Sequence, residues 1–298
     1  MLNILIAGGA GFVGSNLAEK LSIDENNIYV LDNLSNGDER NLEWVKGRFL
    51  RGDILNFDFS LLKELDFIFH LACQKMVLSI KKPFKDLDVN AKGTLRILEF
   101  ARKKDVPVLF TSTGAVYGNP KTFPTLENSS LEPESHYGVS KLSAEKYCRL
   151  YHRLYGLKTY IARLHTVYGP KQRSLGVISI FIKQGLSKKP FTIHGDGKQS
   201  RCFTFIDDCV DGLLKISSSG ESGEAYNISG KPPHSINELA ETVAKLLKVP
   251  VKTVYSPRRK GDQDYVEAST VKLQKLGWKE KTSLKEGIRK TIKWWKSQ

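Results

Sequence analysis

The chain has little cysteine: four residues in 298, Cys73, Cys148, Cys202 and Cys209. They stand far apart or seven residues apart, which suits neither a disulfide framework nor paired zinc ligands. They read as reduced, mostly packed thiols, and no metal site is expected. Long apolar runs are also missing, and no stretch approaches the ~20 residues that a spanning helix needs. The opening residues, Met1 to Ala7, pass straight into glycines without a cleavage-site pattern, so a cytoplasmic protein without membrane contact is expected. Internal repeats and low-complexity linkers are absent. Acidic residues are in deficit, 32 Asp and Glu against 46 Lys and Arg, for a formal net charge of +14. That excess invites a nucleic-acid partner. However, the lysines are scattered over helix faces and gather toward the C-terminal end, without interleaved aromatics or a nucleic-acid motif, so none is expected. A basic surface suits a diphosphate or a dinucleotide equally well.

What is present is enough apolar sequence, 40%, to bury a sizeable core in one large or two modest domains. Asn3 to Ala7 reads as a strand, Gly8-Gly9-Ala10-Gly11-Phe12-Val13-Gly14 as a turn, and Ser15 to Leu21 as a helix. In that context Gly8, Gly11 and Gly14 permit a tight turn, let a pyrophosphate approach the backbone, and let the helix pack on the strand. The helix N-terminus then faces the phosphates. A second strand, Ile28 to Leu31, delivers Asp32, whose carboxylate can accept hydrogen bonds from an adenosine ribose and would repel a 2′-phosphate. This favours NAD over NADP. Asp53, after a third strand at Arg48 to Arg51, either bonds the adenine amino group or caps the next turn.

Further along, strands at Asp66 to Leu71, Val106 to Phe110 and Thr159 to Leu164 alternate with helices at Phe84 to Lys103 and Tyr137 to Tyr155. The alternation predicts an α/β fold built on a doubly wound, Rossmann-like parallel sheet, with ligands beyond the carboxyl ends of its strands. The pattern then loosens. A strand at Cys202 to Ile206, a helix opened by Asp207-Asp208, and helices at Ile236 to Leu247 and Leu284 to Trp295 follow, with Trp278, Trp294 and Trp295 as packing anchors. Residues 1–167 are expected to form the dinucleotide-binding domain with a returning segment near 203–229. Residues 168–298 are expected to form a smaller, interwoven substrate domain.

Tyr137 and Lys141, four apart, share one helix face, so an ammonium can sit beside a phenol. Bringing a tyrosine from a pKa of ~10 to neutrality takes about three units, roughly 4 kcal/mol in favour of the phenolate. A close lysine and a positively charged cofactor ring are expected to supply most of it. Taken alone, the spacing also fits a helix with a buried aromatic and a solvated lysine.

The ordered set of glycine turn, Asp32-Asn33-Leu34, Asp53, Thr111 to Gly118, and Tyr137 with Lys141 resembles the extended short-chain dehydrogenase/reductases. Within them it is similar to the NAD-dependent epimerase/dehydratase family, closest to the UDP-glucose 4-epimerases. The resemblance continues through Arg163, Tyr168-Gly169-Pro170, Gly195 to Arg201, Tyr226-Asn227-Ile228, Arg259 to Asp262 and Leu276-Gly277-Trp278. It implies that NAD is held by Gly8, Gly11, Phe12, Val13, Gly14, Asp32, Asn33, Asp53, Ile54, Leu71, Lys75, Tyr137 and Lys141.

The resemblance also implies roles. Tyr137 would be the base at a sugar C4 hydroxyl, Lys141 would lower its pKa and hold the nicotinamide ribose, and Thr113 would relay the proton while Ser112 supports the loop. Thr166, Arg201 and Arg259 would lie with Thr113 and Tyr137 along the substrate, the arginines on its diphosphate and Thr166 where relatives often carry asparagine. Dehydratases and decarboxylases of the family carry an acid two positions after that threonine, and Gly114-Ala115 offers none. The implied activity is 4-epimerisation of UDP-glucose and UDP-galactose, extending to N-acetylhexosamine forms, by a homodimer joined through the helices around Asn90 to Lys103 and Tyr137 to Tyr155. Another nucleotide-sugar oxidoreductase or dehydratase, or a non-catalytic dinucleotide-binding module, is the alternative.

Overall fold

Asn3–Ala7, strand β1, divides its side chains between two cores, with Ile4 and Ile6 on one side and Leu5 and Ala7 on the other. Successive strand residues point to opposite faces, so such a strand is buried only where helices cover both sides of its sheet. The computed structural model, which describes residues 1–173, 176–258 and 263–298, has that arrangement. β1 pairs in parallel with β2 (Asn27–Asp32) on one side and β4 (Phe67–His70) on the other. β3 (Gly47–Arg51) lies outside β2, and β5 (Val108–Thr113), β6 (Thr159–Leu164) and β11 (Ala225–Ile228) extend the opposite edge. The seven-stranded order is β3-β2-β1-β4-β5-β6-β11, parallel throughout. Its direction of winding reverses between β1 and β4, which opens a crevice at their carboxyl ends.

On one face, α1 (Phe12–Ile23) contributes Leu17, Ala18 and Leu21 to the core, and α7 (Ile206–Ser219) contributes Cys209, Leu213 and Ile216. On the other, α4 (Gly93–Lys104) brings Ile97, Leu98 and Ala101, and α5 (His136–Tyr155) brings Ala144, Cys148 and Tyr151. The first core continues into the C-terminal region through α6 (Val177–Leu186), α8 (Ile236–Leu247), α10 (Leu284–Lys296) and Trp278. Three two-stranded pieces complete that region: β7 (Val167–Tyr168) with β10 (Thr204–Phe205), β8 (Phe191–His194) with β13 (Thr253–Ser256), and β9 (Ser200–Arg201) with β12 (His234–Ser235).

Two elements differ from the sequence reading. The single helix expected over Phe84 to Lys103 is α3 (Pro83–Leu87), a π-helical turn at Asp88–Lys92, and then α4. The widened turn turns Asn90 inward, where its fully buried amide is spent on three polar partners instead of on the solvent face. The strand expected over Cys202 to Ile206 keeps only Thr204–Phe205, because Ile206 already begins α7 with Asp207 and Asp208 in its first turn. Single helical turns at α2 (Met76–Ser79) and α9 (Val271–Gln274) have no sequence counterpart.

Trp278 is 2% exposed and donates its indole N–H to the Asp208 carbonyl (2.9 Å). Trp294 and Trp295 are half-buried and meet edge to face at 5.3 Å. All four cysteines are free thiols, buried at 148, 202 and 209 and half-buried at 73.

Candidate active site

The first βα turn is built for close approach. Gly8 has φ of +81°, and a Cβ there would lie 2.5 Å from the Ala72 nitrogen at the end of β4. A Cβ at Gly14 would fall on the Gly8 carbonyl. Only glycine at these two positions leaves a cradle at the N-terminus of α1, where the capping residue Gly11 offers no side chain to the free N–H groups. Asp32 ends β2 beside the cradle, 8% exposed, with Oδ2 accepting from Ala10 N (3.0 Å) and Oδ1 from Leu34 N (2.8 Å). Burial raises its pKa, and backbone N–H groups of Leu34, Ala10 and Gly11 pull the other way.

Asp53 caps the turn that follows it and also lines the cavity. Oδ1 accepts from Leu55 N (3.0 Å), and Oδ2 accepts from the Asn33 amide (2.7 Å), which tethers the loop after β2 to the loop after β3.

A cavity of about 540 Å³ runs from this cradle across the crevice to α5. Gly8, Gly11, Phe12, Val13, Gly14, Asp32, Asn33, Asp53, Ile54, Leu71 and Lys75 all line it, as do Thr113, Tyr137, Lys141 and Thr166. Residues that sequence reasoning missed join them, among them Asn36, Gly37, Asn41, Gln74, Lys171 and Arg173. The Ser35-Asn36-Gly37 turn following Asp32 was the available signal. Arg173 lies far from it in sequence and reaches it only through the fold, bonding Asn41 (3.2 Å) and pairing with Asp38 (3.3 Å).

The far wall is set by α5. Ser135 caps the helix by accepting from Gly138 N (3.0 Å), and Glu145 forms a fully buried bidentate pair with Arg163 of β6 (Nη2–Oε2 2.7 Å). This pair fixes the helix to the sheet, so Tyr137 and Lys141 are delivered to the end of β5. Lys141 is 1% exposed, with its ammonium 4.2 Å from the centre of the Phe110 ring. Burial lowers its pKa.

The expected lowering of the Tyr137 pKa rests on Lys141 together with a positively charged cofactor ring, and the protein's own groups give a net shift upward. Burial raises Tyr137 well above 10, the acidic groups of Cys73 and Asp86 raise it further, and the hydrogen bond with Thr113 works the other way. Burial strips the water that would stabilise a phenolate, and one lysine standing on an aromatic ring does not replace it. Thr113 Oγ1 accepts from Ala115 N (3.2 Å), which leaves its O–H to donate. Ser112 was expected to support the loop, yet among the described residues its buried Oγ has no hydrogen-bond partner.

A second cavity of about 190 Å³ shares Thr113 and Thr166 with the first and adds Gly114, Ala115, His165 and Arg201. Arg201 donates to the Gln263 carbonyl (2.6 Å) on its edge. Thr166 has φ of +31°, a left-handed conformation in which asparagine is more at ease than a β-branched residue. Arg259, the other arginine expected here, lies outside the described residues. His165, which sequence reasoning did not single out, stacks its ring at 6.2 Å from Tyr117 and blocks any side chain at position 114.

The sequence profile of the NAD dependent epimerase/dehydratase family matches residues 4–229. The UDP-glucose 4-epimerase of Mycolicibacterium smegmatis is 34% identical, covering 100% of this chain and 99% of its own. UDP-glucuronic acid decarboxylase 3 of Arabidopsis thaliana is 35% identical over 96% of this chain and 87% of its own. Among solved structures, the Thermotoga maritima UDP-glucose 4-epimerase with UDP-glucose superposes with a TM-score of 0.95 at 34% identity, 99% of each chain being covered. The Bacillus cereus UDP-glucuronic acid 4-epimerase, in complex with UDP-glucuronic acid and NAD, gives 0.92 at 32% identity with the same coverage.

Proposed function

Because this chain belongs to the NAD dependent epimerase/dehydratase family, we propose that it is a UDP-sugar 4-epimerase interconverting UDP-glucose and UDP-galactose, with N-acetylhexosamine forms as further substrates. The family's cofactor is NAD, and the residues present fit it. The two glycines that tolerate no Cβ leave a backbone cradle for a pyrophosphate, and Asp32 stands where it can take a ribose. When bound, NAD supplies a two-electron acceptor that oxidises the sugar at C4 and returns the electrons, so the overall reaction is redox-neutral.

The chain's own residues move the proton. Tyr137 takes it from the C4 hydroxyl oxygen and gives it back, with Thr113 as the hydroxyl that passes it on. Lys141 keeps a positive charge beside this exchange, and Arg201 serves the diphosphate with a planar fork of donors. Residues 168–298 would hold most of the sugar nucleotide, while the segment near 203–229 returns to the sheet as α7 and β11.

One observation carries the choice of reaction: among the described residues, the positions that follow Thr113 in the wall, Gly114 and Ala115, carry no acid. Gly114 is pressed against the His165 imidazole, Ala115 follows, and the carboxylate on that lining, Glu134, is solvent-exposed and engaged by Asn119 (2.6 Å). A site that oxidises C4 without a second acid to draw off another proton can only return the hydrogen, to the same face or the opposite one. The test is purified protein with UDP-galactose and no added cofactor, followed by NMR of the anomeric protons. Conversion to UDP-glucose is the expected result. No conversion with NAD supplied overturns the glucose/galactose assignment, and a panel of N-acetylated and uronic sugars then finds the substrate.

A further inference from the structure

Beneath the acid–base pair lies a buried carboxylate that this mechanism does not use. Asp86, on α3, is 1% exposed, and among the described residues it has no ion-pair partner within reach. Its Oδ1 accepts from the Asn90 amide (2.9 Å), and the same amide nitrogen donates to Ser140 Oγ (3.0 Å). Ser140 stands between Tyr137 and Lys141 on α5 and donates to the Tyr137 carbonyl (3.0 Å). Through its own oxygen Asn90 also holds Gln74 N (2.8 Å), in the loop that carries Cys73 and Lys75. One carboxylate is thus wired through one amide to the helix turn carrying both reactive groups and to the facing loop.

Resting on the reading above, we propose that Asp86 is a positioning residue for the Tyr137–Lys141 pair: its buried negative charge holds Lys141 as the ammonium and Tyr137 as the phenol until positive charge enters the cavity. The physical case is one of balance. A buried carboxylate survives without an ion-pair partner only where donors and a nearby cation offset its desolvation. Here burial raises the pKa of Asp86, and against it Asn90 donates a hydrogen bond while Lys141 and His136 supply positive charge from α5. The other ionisable groups that face the pair are Cys73 and Lys75 from the loop after β4, His70 from β4 itself, which is held neutral, and Cys148 from α5. Glu145, one turn along α5, is already committed to Arg163. Glu145 still acts on Lys141, but Asp86 is the carboxylate that acts on both members, and in the same direction, favouring the protonated form of each.

The test is Asp86→Asn, which removes the charge and keeps an oxygen to accept from Asn90. Tyrosinate formation is read by ultraviolet difference spectroscopy against Tyr137→Phe partners of the wild type and of the variant, so that Tyr137 is isolated from the other tyrosines. The Tyr137 midpoint is expected to fall by about one unit or more in Asp86→Asn and to return in Asp86→Glu. This readout needs no sugar nucleotide, so it stands or falls separately from the epimerase assignment. In the pH profile of kcat/KM for the NAD-loaded enzyme, both limbs should move toward acid, since the low-pH limb follows Tyr137 and the high-pH limb follows Lys141. A purely structural role would lower the rate without moving either limb. A Tyr137 midpoint that does not fall relative to wild type, including one seen in neither protein, overturns the proposal.

Discussion

At the scale of single residues, the cavity separates groups that do chemistry from groups that make room for it. Tyr137→Phe removes the phenolic oxygen and little else, so kcat should fall by about 10²- to 10⁴-fold. NAD retention, read by the absorbance of the purified protein, should be unchanged. Gly14→Ala puts a methyl group on the Gly8 carbonyl. It should cost roughly 1–3 kcal/mol by overpacking, measured by urea denaturation, and should strip the cofactor on purification. The sequence marked both positions because each belongs to a short local pattern. The state of Tyr137 was not legible in the same way, since its high pKa comes from burial and from Asp86 and Cys73, which other elements bring in.

At the scale of elements, α5 matters most, because any tilt of it misplaces the reactive pair. Its anchor is the Arg163–Glu145 pair, fully removed from water and supplemented by Tyr117 on Arg163 Nη1 (2.8 Å). Glu145→Ala leaves a guanidinium buried without its counter-charge and should destabilise the protein by roughly 3–5 kcal/mol, read in chemical denaturation. By contrast, Ser235→Ala removes one side of the capping box that Ser235 and Glu238 form on α8, and should cost only about 1 kcal/mol. A larger loss at Ser235 than at Glu145 would refute this ordering. The π-helical turn before α4 belongs to the same scale: its Asn90 gives up regular helix geometry to join Asp86, Ser140 and Gln74.

At the scale of the whole molecule, two buried histidines set an acid limit. Burial lowers His70 from 6.5 to about 3 and His165 from 6.5 to about 4. The unfolded chain takes up these protons first, so the stability from neutral burial is fully present above pH 6.5 and is lost as pH falls toward the folded values. The loss across that window is on the order of 5 kcal/mol for His70 and about 3 kcal/mol for His165. Thermal melts should drop steeply below about pH 6, and less steeply in His165→Phe; equal slopes would contradict the assignment.

The same scale governs assembly. Val139 (53% exposed) and Leu154 (61%) lie on the outer side of α5 with the partly exposed Leu142 and Leu150, and Phe84 (84%) and Leu87 project from neighbouring α3. An apolar stripe of this length on a helix calls for a partner, and we propose a second copy of the chain. Sedimentation should give a dimer, and Leu154→Glu should shift it toward monomer.

The sequence by itself determined what depends on neighbours along the chain. The alternation of strands and helices, the glycine turn with Asp32, the boundaries of β6 and α8, and the pairing of Tyr137 with Lys141 all follow from spacing and residue type. Tertiary structure decided what depends on residues far apart. Asp53 is tethered to Asn33 of the loop after β2, and the helix over residues 84–103 breaks where Asn90 turns inward to Asp86, Ser140 and Gln74. Gly114 is hemmed in by His165, and Asp86 meets α5 only once α3 has packed on it. Local pattern carries backbone preference and the side of an element that faces inward. It does not carry burial or the electrostatic field of groups fifty residues away, and those two quantities set the protonation of the site.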